Sequence, residues 1–214
     1  MLHFVLTEQA GKKSWLEMPH RLYYEFAIGS LIRVQDLAQT VHRVQTSGVP
    51  VDAAGSAALY EHRLAMNDIL IYSALTLEAY INFYATRYSI PFYNDFERSL
   101  STINKWKIYP HLKTRKTMPS AALIALRAIF DLRDEIVHPK PDRVWPNSES
   151  VGQRKEGEEK GAQAQIERLD KVQLILDVNM IFDSIFGIDA DEYADHEKSP
   201  WLRRLQRLKA DDGK

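Results

Sequence analysis

The sequence contains no cysteine among its 214 residues. This absence excludes disulfide bonds, thiolate metal sites and a cysteine nucleophile. An excess of one charge is also lacking, because 29 Asp and Glu residues face 28 Lys and Arg residues and the formal net charge is −1. No global field therefore attracts the protein to nucleic acid or to an anionic membrane, and any such binding has to come from a local patch.

Long apolar runs are missing as well. No stretch approaches the roughly 18 uninterrupted apolar residues of a membrane span, and the apolar residues 1–6 are too few for a signal sequence. We therefore expect a soluble, cytoplasmic protein that does not bind membranes. The sequence has no internal repeat and no extended strand-like alternation, whereas 45% of its residues are hydrophobic. These features favour a packed, all-α protein.

Apolar residues recur at steps of three and four in several segments, and Pro, Gly and polar residues separate these segments. The predicted helices cover residues 22–45, 56–88, 94–107, 120–137 and 163–186, and a short basic helix is predicted at 200–209. Tyr109-Pro110 and Gly187 are interpreted as helix ends. Residues 1–20 lack a clear period and are interpreted as a short strand or an extended arm.

These elements predict three regions. Residues 1–50 are an N-terminal arm and helix that pack on a bundle, residues 51–190 are the helical bundle, and residues 191–214 are an acidic linker with a basic tail helix. Residues 139–160 are rich in Pro, Gly and Ser and carry five basic and five acidic residues. This composition predicts a flexible loop within the bundle region.

A charged segment at the end of the 120–137 helix is the main functional candidate. Arg133 falls on a largely apolar side of the helix, so it needs an anionic partner. His138 precedes Pro139 and should therefore lie at the frayed carboxyl end of the helix. A guanidinium can hold a phosphodiester through paired hydrogen bonds, and an imidazole can accept or donate a proton. This chemistry needs no metal or other cofactor, although one chain supplies a single histidine and two apposed chains would supply two.

The same spacing has a structural interpretation. An Arg-x4-His spacing occurs by chance in many helices. Arg133 could pair with Glu78, which forms an i, i+4 pair with Asn82 beside the apolar stripe of the 56–88 helix. Because structural ion pairs perturb charged groups as functional sites do, the spacing alone favours the structural interpretation.

A basic stretch without acids is the second candidate region. Its cations are Lys105, Lys107, Lys113, Arg115 and Lys116. It also contains Trp106 and Tyr109, and basic residues with aromatics can bind single-stranded nucleic acid. The alternative is a solvated loop with both aromatics anchored in the core. The remaining histidines show no metal-ligand spacing, and no metal site is predicted.

The segment Leu132-Arg133-Asp134-Glu135-Ile136-Val137-His138-Pro139 resembles the signature of HEPN domains. Residues 75–82 and 103–106 resemble the earlier long helix and the middle segment of the same family, so the similarity covers roughly residues 60–190. The resemblance implies a bundle of four to five main helices, here with an additional N-terminal helix and a short basic C-terminal helix. It also implies a homodimer with the motif at the dimer groove.

Many HEPN proteins are metal-independent ribonucleases of toxin–antitoxin, antiviral or RNA-processing systems, and others are inactive binding modules. By this resemblance Arg133 would hold phosphate, His138 would be the acid or base, and Asp134 would orient one of them. Family members often carry Asn at the position of Asp134. The expected partners are a second copy, an RNA substrate and an antitoxin or other protein. The alternative is a non-catalytic interaction or scaffold module, with Arg133 in a structural ion pair.

Overall fold

The computed structural model of the protein describes residues 4–9, 12–17, 19–48, 50–138 and 170–192. Its elements are β1 (Phe4–Gln9), β2 (Lys12–Glu17), α1 (Pro19–Thr46), α2 (Ala53–Arg87), α3 (Tyr93–Phe96), α4 (Thr102–Thr114), α5 (Ser120–Val137) and α6 (Lys171–Ile188). The main body is a helical bundle, so the predicted all-α fold class is confirmed for it. The predicted loop 139–160 and the predicted tail helix lie outside the described residues.

An antiparallel hairpin precedes the bundle. β1 pairs with β2 so that Phe4 lies opposite Glu17 and Gln9 lies opposite Lys12. A single short strand was one of the two interpretations of residues 1–20, but a second strand paired with it was not expected. Pro19 then begins α1, where its fixed φ angle and missing N–H are tolerated.

The longest helix, α2, is the centre of the bundle and contacts α1, α4, α5 and α6. It begins at Asp52, whose carboxylate accepts a hydrogen bond from the Gly55 N–H at 2.7 Å. A Cβ atom at Gly55 would lie only 3.0 Å from a methyl group of Val44, so the absence of a side chain allows α1 to approach this end of α2.

The predicted apolar stripe of α2 forms the core. Leu70, Ala74, Leu77, Ile81 and Tyr84 are all buried, whereas Tyr88 at the end of the predicted stripe is only partly buried. Trp106 of α4 packs into the same core and donates its indole N–H to the Leu77 carbonyl oxygen at 3.2 Å. The apolar face of α6 closes the bundle with Ile175, Val178, Phe182 and Ile185, as its spacing predicted.

Two predicted helix ends are wrong. The 94–107 segment is divided into α3 and α4, and α4 continues through Tyr109 and Pro110 to Thr114. Both residues are buried, so tertiary packing outweighs the hydrogen bond that proline removes. Gly187 lies inside α6 rather than capping it, because the helix continues to Ile188 and Asp189 is the cap. The predicted bounds of α5 agree with the structure.

Candidate functional site

The carboxyl end of α5 has the geometry that the His-Pro pair predicts. The His138 N–H donates to the Asp134 carbonyl oxygen at 2.9 Å, which is the last hydrogen bond of the helix. The backbone then leaves helical geometry at His138, with φ −124° and ψ 62°. The imidazole is exposed, so it can reach a ligand that approaches from solvent.

Arg133, one turn earlier, has two anionic neighbours. Its Nη2 lies 3.9 Å from Glu78 Oε2, and its Nη1 lies 3.2 Å from Asp134 Oδ1. The guanidinium carbon is 5.1 Å from the centroid of the Phe130 ring. The Arg133 side chain is 26% exposed and that of Glu78 is 39% exposed. The predicted pairing with Glu78 is therefore present, but it is long and open to solvent, and such pairs contribute little to stability.

Glu78 also lines an open groove between α1 and α2. Pro19 and Tyr23 of α1 form one side, and Leu75, Glu78, Ala79, Asn82, Phe83 and Thr86 of α2 form the other. The groove has a volume of about 370 Å³. Helical spacing places Glu78 and Asn82 beside the core stripe of α2, but it could not predict the groove, because the groove forms only where α1 packs across α2.

Asn82 connects the groove to a buried cation. The Lys105 ammonium donates a hydrogen bond to Asn82 Oδ1 at 2.9 Å, and Lys105 is only 3% exposed. Lys105 therefore supports a groove residue and is not a surface contact for nucleic acid.

The structure does not bring the five cations of the basic stretch together on one surface. Lys113 contacts Asp189 and Asp191 at 2.6 and 3.2 Å. Lys107, Arg115 and Lys116 are exposed. Trp106 and Tyr109 are buried, as the structural interpretation of this stretch anticipated, although the stretch is mainly helix α4 rather than a loop.

A second polar cluster, which the sequence analysis missed, lies at the end of α6. The Tyr80 hydroxyl donates to Glu192 at 2.5 Å, and the Tyr84 hydroxyl donates to Asp189 at 2.7 Å. Both acids are buried. With Lys113 these four residues form the acid–tyrosine cluster. Glu192 falls within the predicted acidic linker, but its side chain is buried in the bundle.

The tyrosine hydroxyls of this cluster are held protonated. Burial raises the pKa of Tyr80 well above its ordinary value, and the Glu192 carboxylate raises it further. Burial raises the pKa of Tyr84 strongly, and the hydrogen bond to Asp189 adds to this effect. Tyr80 and Tyr84 lie one turn apart, and the hydroxyl of a buried tyrosine needs a hydrogen-bond partner. This need was the sequence feature from which the cluster could have been predicted.

Comparison with protein-family models, curated proteins and solved structures found no match for this chain. Within the described residues, no group of three or more His, Cys, Asp or Glu side chains is placed to hold a metal ion. None of the helices in that part of the chain combines the length and the apolarity needed to cross a membrane.

Proposed function

We propose that the protein is a HEPN-type, metal-independent endoribonuclease or RNA-binding protein that acts at the end of α5. The observation that carries the proposal is that an exposed imidazole lies at the end of α5 and a partly exposed guanidinium lies five residues earlier on the same helix. The resemblance of residues 132–139 to the HEPN signature supports the same assignment. A toxin–antitoxin or phage-defence setting would fit this activity, with an antitoxin as the protein partner.

The chemistry assigns one role to each residue. Arg133 binds the non-bridging oxygens of the scissile phosphodiester. His138 takes the proton from the ribose 2′-hydroxyl, and the 2′-oxygen attacks phosphorus while the bond to the 5′-oxygen breaks. The partner subunit's His138 protonates that 5′-oxygen in a homodimer. The products are a 2′,3′-cyclic phosphate and a 5′-hydroxyl, so atoms and charges balance.

Asp134 has a positioning role in this scheme. Its carboxylate lies 3.2 Å from the Arg133 guanidinium and competes with phosphate for it. Replacing the acid by its neutral amide keeps a hydrogen-bond acceptor and removes the repulsion between two anions. We expect Asp134→Asn to bind RNA several-fold more tightly than the wild type, as measured by fluorescence anisotropy.

The activity is tested with purified protein, single-stranded and structured RNAs, and EDTA in the buffer. We expect cleavage that falls about a hundredfold or more in His138→Ala, because a positioned acid or base contributes that much to the rate. His111→Ala is the matched control, since His111 is an exposed histidine near the end of another helix, α4. Cleavage that persists in His138→Ala would remove His138 from the site, and a wild type that neither cleaves nor binds RNA would refute the proposal.

The second candidate function is a non-catalytic interaction module. The contact of Arg133 with two carboxylates favours it, because a guanidinium that is already paired is less available to phosphate. In this case the helical surfaces would bind another protein and the Arg133–Glu78 pair would support the fold. The stability of an Arg133 variant, described in the Discussion, separates the two functions.

A further inference from the structure

The groove between α1 and α2 is open to solvent and large enough to hold one small molecule. Its volume of about 370 Å³ lies within the range of roughly 300–1,000 Å³ that is usual for such sites. Tyr23 contributes a partly exposed aromatic ring, and Pro19, Leu75 and Ala79 contribute apolar surface, whereas Phe83 lies beneath the groove and is 6% exposed. A wall of this kind suits the face of a planar ring, because aromatic side chains stack on nucleobases of any sequence.

Two polar groups stand in a row along the α2 side of the groove. Glu78 and Asn82 are four residues apart, so their Cβ atoms are separated by about 5–6 Å on one helix face. A carboxylate offers only acceptors. An ammonium group, by contrast, offers only donors. The Asn82 atom that accepts the hydrogen bond of the buried Lys105 is therefore its carbonyl oxygen. The amide N–H groups are therefore what Asn82 offers to a ligand.

We propose that this groove binds a guanine base. One edge of guanine carries an acceptor, O6, beside two donors, N1–H and the N2 amino group. Glu78 accepts hydrogen bonds from N1–H and N2–H, Asn82 donates to O6, and the ring lies against Tyr23. The inference rests on the proposed function only where the guanosine belongs to an RNA chain.

The other bases match this row of groups less completely. Adenine and cytosine can place their amino group at Glu78 and a ring acceptor at Asn82, and uracil can place its N–H at Glu78 and a carbonyl oxygen at Asn82. None of these three bases presents two adjacent donor groups to the carboxylate, so each makes fewer hydrogen bonds with Glu78 than guanine does. A site built to pair with specific N–H groups discriminates strongly against a ligand that leaves its polar groups unpaired.

The groove also lies beside the candidate phosphate-binding group. Glu78 Oε2 is 3.9 Å from Arg133 Nη2, so a base held by Glu78 would have its own nucleotide close to the guanidinium. A free guanine nucleotide and a guanosine within RNA present the same base edge. The shared chemistry is guanine recognition, and the experiments below distinguish the two sources.

The first experiment measures the binding of GMP, IMP and AMP to the full-length protein by isothermal titration calorimetry. IMP differs from GMP only in lacking the N2 amino group, so it reports on one hydrogen bond to a charged acceptor. We expect IMP and AMP to bind about tenfold or more weakly than GMP. Equal affinities for GMP and IMP would overturn the proposal, as would no binding of GMP together with no preference for guanosine in RNA.

Three variants assign the recognition to the groove. Glu78→Gln removes the charged acceptor, and Asn82→Asp removes the donor to O6 while keeping an acceptor for the buried Lys105. We expect each to weaken GMP binding about tenfold. Glu61→Gln is the matched control, because Glu61 is another α2 glutamate with an arginine partner, Arg33 at 3.0 Å, and it does not line the groove. GMP affinities that are equal in all three variants would show that Glu78 and Asn82 do not bind the base.

The last experiment compares RNA oligonucleotides that differ only in carrying a guanosine or an adenosine at one position. Binding or cleavage that prefers the guanosine-containing RNA supports recognition within a chain. RNA cleavage without such a preference, together with no GMP binding, overturns the guanine site and leaves the ribonuclease proposal standing. GMP binding by a protein that neither binds nor cleaves RNA supports a site for free guanine nucleotides and overturns the ribonuclease proposal.

Discussion

Acidic and basic side chains lie together at the carboxyl ends of both α5 and α6, but the two groups differ in burial and in pairing distance. At the end of α5, Arg133 lies 3.9 Å from Glu78, and both side chains are partly exposed. At the end of α6, Lys113 lies 2.6 Å from the buried Asp189, which also accepts a hydrogen bond from Tyr84. One end is loosely paired and open to solvent, and the other is tightly paired and closed.

This difference in burial separates the proposed ligand site from the structural cluster by the free energy that each would lose on exchanging a partner. A buried carboxylate has lost its hydration, so it must keep its protein partners and cannot exchange them for a ligand. A partly exposed pair has lost little hydration and gains little from its contact, so an incoming anion or hydrogen-bond donor can replace one partner. The charge content of the two ends is similar, and burial decides their roles.

The largest effect is expected for Asp189→Ala. The variant leaves the Lys113 ammonium and the Tyr84 hydroxyl without their shared acceptor inside the bundle. We expect the free energy of unfolding to fall by about 3 kcal/mol, measured by urea denaturation. Asp191→Ala is the control, because Asp191 contacts the same ammonium at 3.2 Å but its side chain is 78% exposed, and we expect a loss of less than about 1 kcal/mol. Equal losses in the two variants would remove the distinction between the closed and open sites.

A loss of stability at alkaline pH is the next prediction. Burial and the Asp189 hydrogen bond raise the pKa of Tyr84, and burial and Glu97 raise that of Tyr93 to about 12. In the unfolded chain tyrosine ionises near pH 10, so the folded protein holds its protons more tightly there. The stabilisation is present below about pH 10 and is lost as the pH rises further.

This prediction is measured by ultraviolet titration of tyrosinate in the folded protein and in denaturant, alongside unfolding curves at each pH. The folded protein should show several tyrosines that ionise only as it unfolds. If all tyrosines titrate together near pH 10 with the fold intact, the cluster is not closed to solvent.

The smallest effect is expected for Arg133→Met, which keeps an unbranched apolar stem and removes the charged guanidinium. Because Arg133 and Glu78 are both partly exposed, we expect the free energy of unfolding to change by less than about 1 kcal/mol. RNA binding should fall with little change in melting temperature. A loss of several kcal/mol would instead support the structural ion pair and the interaction-module function.

Much of the helical layout could be predicted from periodicity. The stripe of α2 and the bounds of α5 follow from apolar residues at helical spacing, and His138 before Pro139 marks the end of α5. The need of Arg133 for an anion was also predicted, because a guanidinium lies on an apolar helix side, and Glu78 was its partner in the structural interpretation. These inferences succeeded because they depend on one helix, or on one charge that requires an opposite charge.

Other features could not be read in this way. Pro110 normally ends a helix, but α4 continues through it because the packed core stabilises the helix on both sides. Lys105 and Glu192 looked like solvent-exposed charges in polar stretches, yet each is buried against a partner distant in sequence. Local composition cannot show which polar residue faces the interior when its acceptor or donor comes from another helix.

By itself, the sequence determined that the main body is helical and where its longest apolar stripes lie. It also determined that Arg133 and His138 both lie near the carboxyl end of one helix. Only the tertiary structure decided that Glu78 and Asn82 line an open groove beside Arg133, and that Asp189 and Glu192 close the interior at α6. The physical reason is that helix periodicity is set by neighbours three and four residues away. Burial and pairing of charges are set by segments that meet only after folding.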